Sequence, residues 1–142
     1  MGHVPSVRVM QTSGTFEVTL FEAVDVPLAP PVETALPIGV ARMTKTYAGG
    51  VTGHSATVFT SAYGGEVGTY VALEAFEGTL DGRSGTFAYV HSASTGGTDR
   101  SDTFFRIVAG SGTGDLTGIH GGGSLTVDDD GTHLVDFDYE LN

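Results

Sequence analysis

A carboxylate, a phenol and an imidazole, Glu74, Tyr89 and His91, fall in one short stretch of this chain. These side chains move protons: a partly desolvated carboxylate has a raised pKa suited to acid/base work, an imidazole relays, and a phenol polarises a carbonyl or enolate oxygen. The stretch reads as a β-hairpin closed by Asp81-Gly82, a dipeptide that suits the positive φ angles of a type I′ turn. With Leu80 opposite Arg83, paired positions sum to 163, so Phe76 faces Phe87, Glu74 faces Tyr89 and Ala72 faces His91. Side chains alternate across a strand, so these six and Tyr70 share one face.

On that face Glu74 is the candidate proton-transfer group, His91 its assistant and Tyr89 the polarising donor. Tyr70, Phe76 and Phe87 shape an aromatic pocket. Lys45 shares its strand face with Ala41, Met43 and Tyr47, so it is placed to neutralise Glu74, bind an anionic group, or reach a barrel rim. Each residue also has a structural reading: Glu74 satisfied by hydrogen bonds, His91 at a strand end, Tyr89 as packing. An inverted reading puts Val71, Leu73 and Ala75 inside instead.

The elements that must hold these groups are strands. Gly14 to Phe21 alternates, with Phe16, Val18 and Leu20 on one face. Asp25 to Pro37 holds four prolines, which excludes a helix or a central strand and predicts a connection across one end or edge of the sheet. Strands follow over 39–47, 51–62, 68–80, 83–94, 101–109, 123–127 and 133–141, divided by Gly- and Asp-rich turns. Residues 1–12 lack periodicity and read as a frayed terminus. Eight strands with almost no helix predict one all-β domain, an antiparallel up-and-down barrel, with a β-sandwich as the competing arrangement. An eight-stranded interior is filled by side chains or holds one small ligand.

Composition narrows the partners. Six Lys and Arg against 17 Asp and Glu leave a net charge of −11, which disfavours nucleic acid and anionic membranes. The absence of cysteine excludes disulfides and thiolate chemistry, no apolar run is long enough to span a bilayer, and the N-terminus lacks the apolar core of a secretory signal. A soluble cytoplasmic protein is the expectation. The apolar face opposite Glu74 (Val71, Leu73, Ala75, Ala88, Val90) predicts cover by the Pro-rich segment or a homodimer interface. Gly110 to Leu116 matches no phosphate-loop spacing, Asp128-Asp129-Asp130-Gly131 reads as a hairpin turn, and no Gly-x-Ser-x-Gly elbow is present. The five histidines are dispersed, so no metal or other cofactor is expected.

The order of several motifs resembles a small bacterial family of unknown function placed in the allene oxide cyclase-like barrel superfamily. The matching residues are Lys45 to Gly49 with Gly53, Tyr70 to Gly78, Leu80 to Gly85 with Phe87 and His91, Gly110 to Gly118, and His133 to Tyr139. The resemblance covers about Gly14 to Leu141 and implies an eight-stranded antiparallel barrel. Its superfamily includes isomerases and cyclases that work without cofactors on apolar substrates, although none of the plant cyclases' catalytic motifs is recognisable here. The functional expectation is a barrel that binds a small apolar or weakly anionic molecule, as a cofactor-free isomerase or cyclase. A non-catalytic carrier or sensor, and a structural module with a filled core, are the alternatives.

Overall fold

The computed structural model describes residues 9–142. Eight strands follow one another around a closed barrel: β1 (Met10–Val24), β2 (Ile38–Gly49), β3 (Val51–Gly64), β4 (Val67–Leu80), β5 (Arg83–Thr95), β6 (Ser101–Ile107), β7 (His120–Val127) and β8 (His133–Glu140). All neighbouring pairs are antiparallel, and β1 pairs with β8 to complete the ring, which removes most of the open edge a flat sheet would leave. The only helical element among the described residues is a 3₁₀ turn, Gly114–Leu116.

The β4–β5 ribbon carries the predicted register, with Glu74 opposite Tyr89, Phe76 opposite Phe87 and Ala72 opposite His91. Its turn has positive φ at both central residues, 50° at Asp81 and 82° at Gly82, the geometry that matches the right-handed twist of the strands. Strand β1 starts earlier than the sequence suggests. Met10 to Thr12, predicted to fray, pair with Tyr139 to Phe137 of β8, while residues 1–8 lie outside the described part.

The inside of the barrel differs between its two ends. At the end that holds the Asp81-Gly82 turn, Val51, Phe76, Leu80, Phe87, Phe137 and Tyr139 pack into a solid floor. The connection between β6 and β7 folds under this end and buries Leu116 and Ile119 completely, so this glycine-rich stretch serves as a plug. The plug passes so close to β5 that a Cβ on Gly85 would lie 2.1 Å from the Thr113 carbonyl oxygen, which only glycine allows.

At the opposite end the wall is incomplete. Beyond the Val18/Leu20 register shift β1 continues to Val24 against β2 alone, and β6 meets β7 only at Arg106–Gly122 and Ile107–Gly121. The short β7–β8 hairpin thus leaves a mouth on its side of the barrel. The Pro-rich segment between β1 and β2 is mostly exposed and does not cover the outer face, where Val58, Val71 and Leu73 stay 55%, 47% and 53% exposed.

Candidate functional site

Period-two alternation puts Lys45 and Tyr47 of β2, Ser55 and Thr57 of β3, Glu74 of β4, and Tyr89 and His91 of β5 inside the barrel, just above the floor. Glu74 is the hub and is fully buried. Its Oε2 accepts from Lys45 Nζ at 2.6 Å and from His91 Nε2. Its Oε1 accepts from Ser55 Oγ at 2.8 Å and Tyr47 Oη at 3.1 Å. The Tyr47 hydroxyl also lies 2.7 Å from that of Tyr89. Four donors on one carboxylate satisfy both oxygens, the condition under which a buried charge is tolerated.

The network continues towards the mouth. The Tyr70 hydroxyl sits 2.8 Å from His91 Nδ1, and Arg100 donates to the Tyr70 oxygen at 2.9 Å. The tautomer follows. Nε2–H donates to Glu74, Nδ1 is left as the acceptor, and the Tyr70 proton fills it.

Electrostatics follows from burial and pairing. Burial alone would raise the Glu74 pKa, but the His91 hydrogen bond and the Lys45 charge outweigh it and hold the carboxyl well below its usual range. Burial lowers the Lys45 pKa against the pull of Glu74, and it lowers that of His91 in the same way, so the imidazole is neutral beside the Lys45–Glu74 ion pair. Burial raises Tyr70, with Arg100 opposing, and pushes Tyr47 and Tyr89 far upward beside Glu74. The expectation of a raised Glu74 pKa therefore fails, because desolvation is outweighed by two specific partners.

Above this cluster lies a cavity of about 200 Å³. Phe16, Met43, Phe59 and Leu125 supply apolar wall, and the polar groups are Lys45, Tyr70, His91 and Arg100, with His133 and Thr126. A second cavity of about 370 Å³ adjoins it across Phe59, Tyr70 and Arg100. Among the described residues no carboxylate lines the first cavity, and Arg100 forms no ion pair. With His91 neutral and Lys45 (+1) paired with Glu74 (−1), Arg100 is the unpaired cation on the lining of the first cavity, while Asp99 lines the adjoining one. Buried Thr57 Oγ1, on the strand pair beside Glu74, has no hydrogen-bond partner among the described residues.

The family model described as protein of unknown function (DUF3224) matches residues 12–139. The chain belongs to the DUF3224 family. The crystal structure of a protein with unknown function from the same family, from Shewanella oneidensis MR-1, is similar, with a TM-score of 0.81 at 25% identity over 95% of this chain and 99% of that one. No curated protein matches the chain.

The DUF3224 barrel brings Glu74, His91, Tyr89 and Lys45 into one network, as the single-face argument requires, but at different depths. Tyr70, His91 and Lys45 reach the cavity. Glu74 and Tyr89 lie behind them, fully buried, and Phe76 and Phe87 belong to the floor. His54 sits on the outer wall 3.4 Å from Glu77, away from His91. Tyr47, Ser55 and Arg100 are members of this network that the sequence reading did not assign to it. Tyr47 and Ser55 carried a usable signal: Tyr47 shares the Lys45 face, and Ser55 follows across the Gly49-Gly50 turn, opposite Lys45 in the β2–β3 register.

Proposed function

We propose that this protein binds a small, largely apolar molecule carrying one anionic or enolisable oxygen in the barrel mouth. The observation that carries this reading is the cavity of about 200 Å³, whose walls are mainly apolar and whose polar groups include Lys45, Arg100, His91 and Tyr70. Small-ligand sites have this composition, with few polar groups fixing orientation. The filled floor confines a ligand to the mouth, and the small volume favours a compact one.

Phenylacetate and phenylacetamide differ in charge and hardly in shape, and they test the reading by saturation-transfer NMR. The acid should bind at least tenfold tighter, about 1.4 kcal/mol, in keeping with a hydrogen bond to a charged group. Equal binding of both, or of neither, removes the anion-binding reading.

A catalytic reading, cofactor-free isomerisation or cyclisation, is favoured over a passive carrier by the continuous hydrogen-bonded chain from Arg100 through Tyr70 and His91 to Glu74. The reading takes the protein as soluble and cytoplasmic, in keeping with its charge of −11. It takes the outer face around Val58, Val71 and Leu73 as a homodimer contact. For the latter, Leu73→Lys should lower the mass measured by light scattering to that of one chain, and a wild type that is already monomeric rules the dimer out.

A further inference from the structure

We propose that the Tyr70 oxygen is the base of this site, with His91 as proton relay and Glu74 as the anchor that aims the imidazole. The substrate class is then a small carbonyl compound with an acidic C–H beside the carbonyl. This rests on the catalytic form of the ligand-binding reading above.

Three observations lead to it. First, Glu74, the obvious acid/base group, is fully enclosed and already accepts from Lys45, His91, Ser55 and Tyr47. No ligand reaches it, so it is a positioning residue. Second, the titratable groups that line the cavity are Tyr70, His91, Lys45, Arg100 and His133, which stacks on Phe16, and of these only Tyr70 has both a cation on its oxygen and a neutral acceptor for its proton. Third, the order of donors is fixed. Glu74 takes the Nε2 proton, which forces Nδ1 to face Tyr70 as acceptor, the arrangement by which a third group orients a base in other triads.

The step balances without an oxidant or a metal. The C–H bond next to the carbonyl breaks, and its proton joins the Tyr70 oxygen while the phenolic proton moves to His91 Nδ1. The electron pair left on the ligand becomes an enolate, whose negative charge balances the imidazolium formed in the same step, while Glu74 holds the Nε2–H. The enolate oxygen is received by Lys45 Nζ or Arg100, donors aimed at the charge that develops. Where the carbonyl compound is β,γ-unsaturated the enolate is conjugated, and return of the proton to its γ carbon by the reverse relay shifts the double bond, which is an isomerisation. Arg100 opposes the upward push that burial exerts on the phenol, which eases transfer of the phenolic proton to His91.

Phenylpyruvate is the probe, a small anionic aryl keto acid with exchangeable protons beside its ketone. Binding is followed by saturation-transfer NMR and proton abstraction by exchange of those protons in D2O. Wild-type protein should bind it and accelerate exchange over buffer. Tyr70→Phe keeps the ring that stacks on Phe59 at 5.0 Å, so it should still bind, yet lose about 100-fold or more of the acceleration. Arg100→Gln, in an exposed loop residue, should lose about tenfold at saturating phenylpyruvate. Binding without accelerated exchange overturns the base assignment alone, as does acceleration that survives Tyr70→Phe. If Tyr70→Phe does not fold, acceleration that is unchanged in Arg100→Gln overturns it instead. Absence of binding by wild type removes the ligand-binding reading and this inference with it.

Discussion

The floor and the mouth of this barrel are built from the same strands, at successive inward positions, and do opposite things. The floor is dry: Phe76, Phe87, Phe137 and Leu80 interlock, with Phe87 and Phe137 edge to face at 5.5 Å, and the plug loop seals it below. One inward position further along β4, from Phe76 to Glu74, the lumen turns polar. The difference teaches that a small barrel has room for stability or for a site at any one height, and that this one separates them. The floor supplies burial at roughly 25 cal/mol per Å² of apolar surface. The mouth instead spends buried polar groups on a fixed geometry, a poor source of stability and a good one of orientation.

The largest effect should come from the floor. Phe137→Ala removes a fully buried ring and should cost about 3–5 kcal/mol in urea denaturation. Phe59→Ala at the mouth is only half-buried and should cost markedly less. Equal losses would mean that the two ends are not separated in energy.

Next comes the hub. Glu74→Gln leaves Lys45 buried without its counter-charge and should destabilise by about 3 kcal/mol, because an uncompensated buried ion is worse than no ion. Adding Lys45→Met should restore much of the loss, since the stranded cation goes with it. A double variant less stable than Glu74→Gln alone would show that Lys45 packs rather than pairs.

The same cluster sets a pH dependence. His91 has a folded pKa below its ordinary 6.5, so the folded state binds its proton less well than the unfolded chain, and stability falls as pH drops below about 6.5. The groups facing the ring are Glu74 and Tyr70 from β4, Lys45 from β2, Tyr89 on its own strand, and Arg100. Glu74 is also held below its ordinary 4.5, so its contribution, present above that value, is lost on further acidification. Melting temperature should therefore decline from pH 6.5 downward in wild type, and the upper part of that decline should vanish in His91→Gln. A decline unchanged by that substitution would place the sensitivity elsewhere.

How far the sequence discloses this division differs between its parts. The β4–β5 ribbon is legible because a two-residue turn fixes register and period-two alternation fixes face. Those two facts alone bring Glu74, Tyr89 and His91 together. Lys45 is legible as an inward residue, and Glu74 is its natural partner. The depth at which each group sits is not legible, because it depends on where the ring closes. Nothing in Phe87 says that it meets Phe137 of β8, a contact set by barrel closure. Nor does the run Gly110 to Leu116 announce that Leu116 tucks under the barrel, since one leucine in a glycine-rich loop gives no periodicity to read. Arg100 escapes notice for a similar reason: it lies in the connection after β5, where no alternation assigns a direction.

The smallest effect is expected at Arg100, and it sharpens the comparison most. Its side chain lies at the exposed rim, donates to Tyr70 and makes no ion pair among the described residues. Removing its charge should leave stability within about 0.5 kcal/mol of wild type, as surface substitutions usually do. Yet Arg100→Gln removes the one guanidinium that lines the first cavity, so phenylacetate should bind about tenfold more weakly while phenylacetamide is unaffected. A change that is invisible to denaturation and visible to an anion is what a mouth separated from its floor must give. Were Arg100→Gln to lower stability by as much as a floor substitution, the rim would be holding the barrel together, and the division between scaffold and site would not exist.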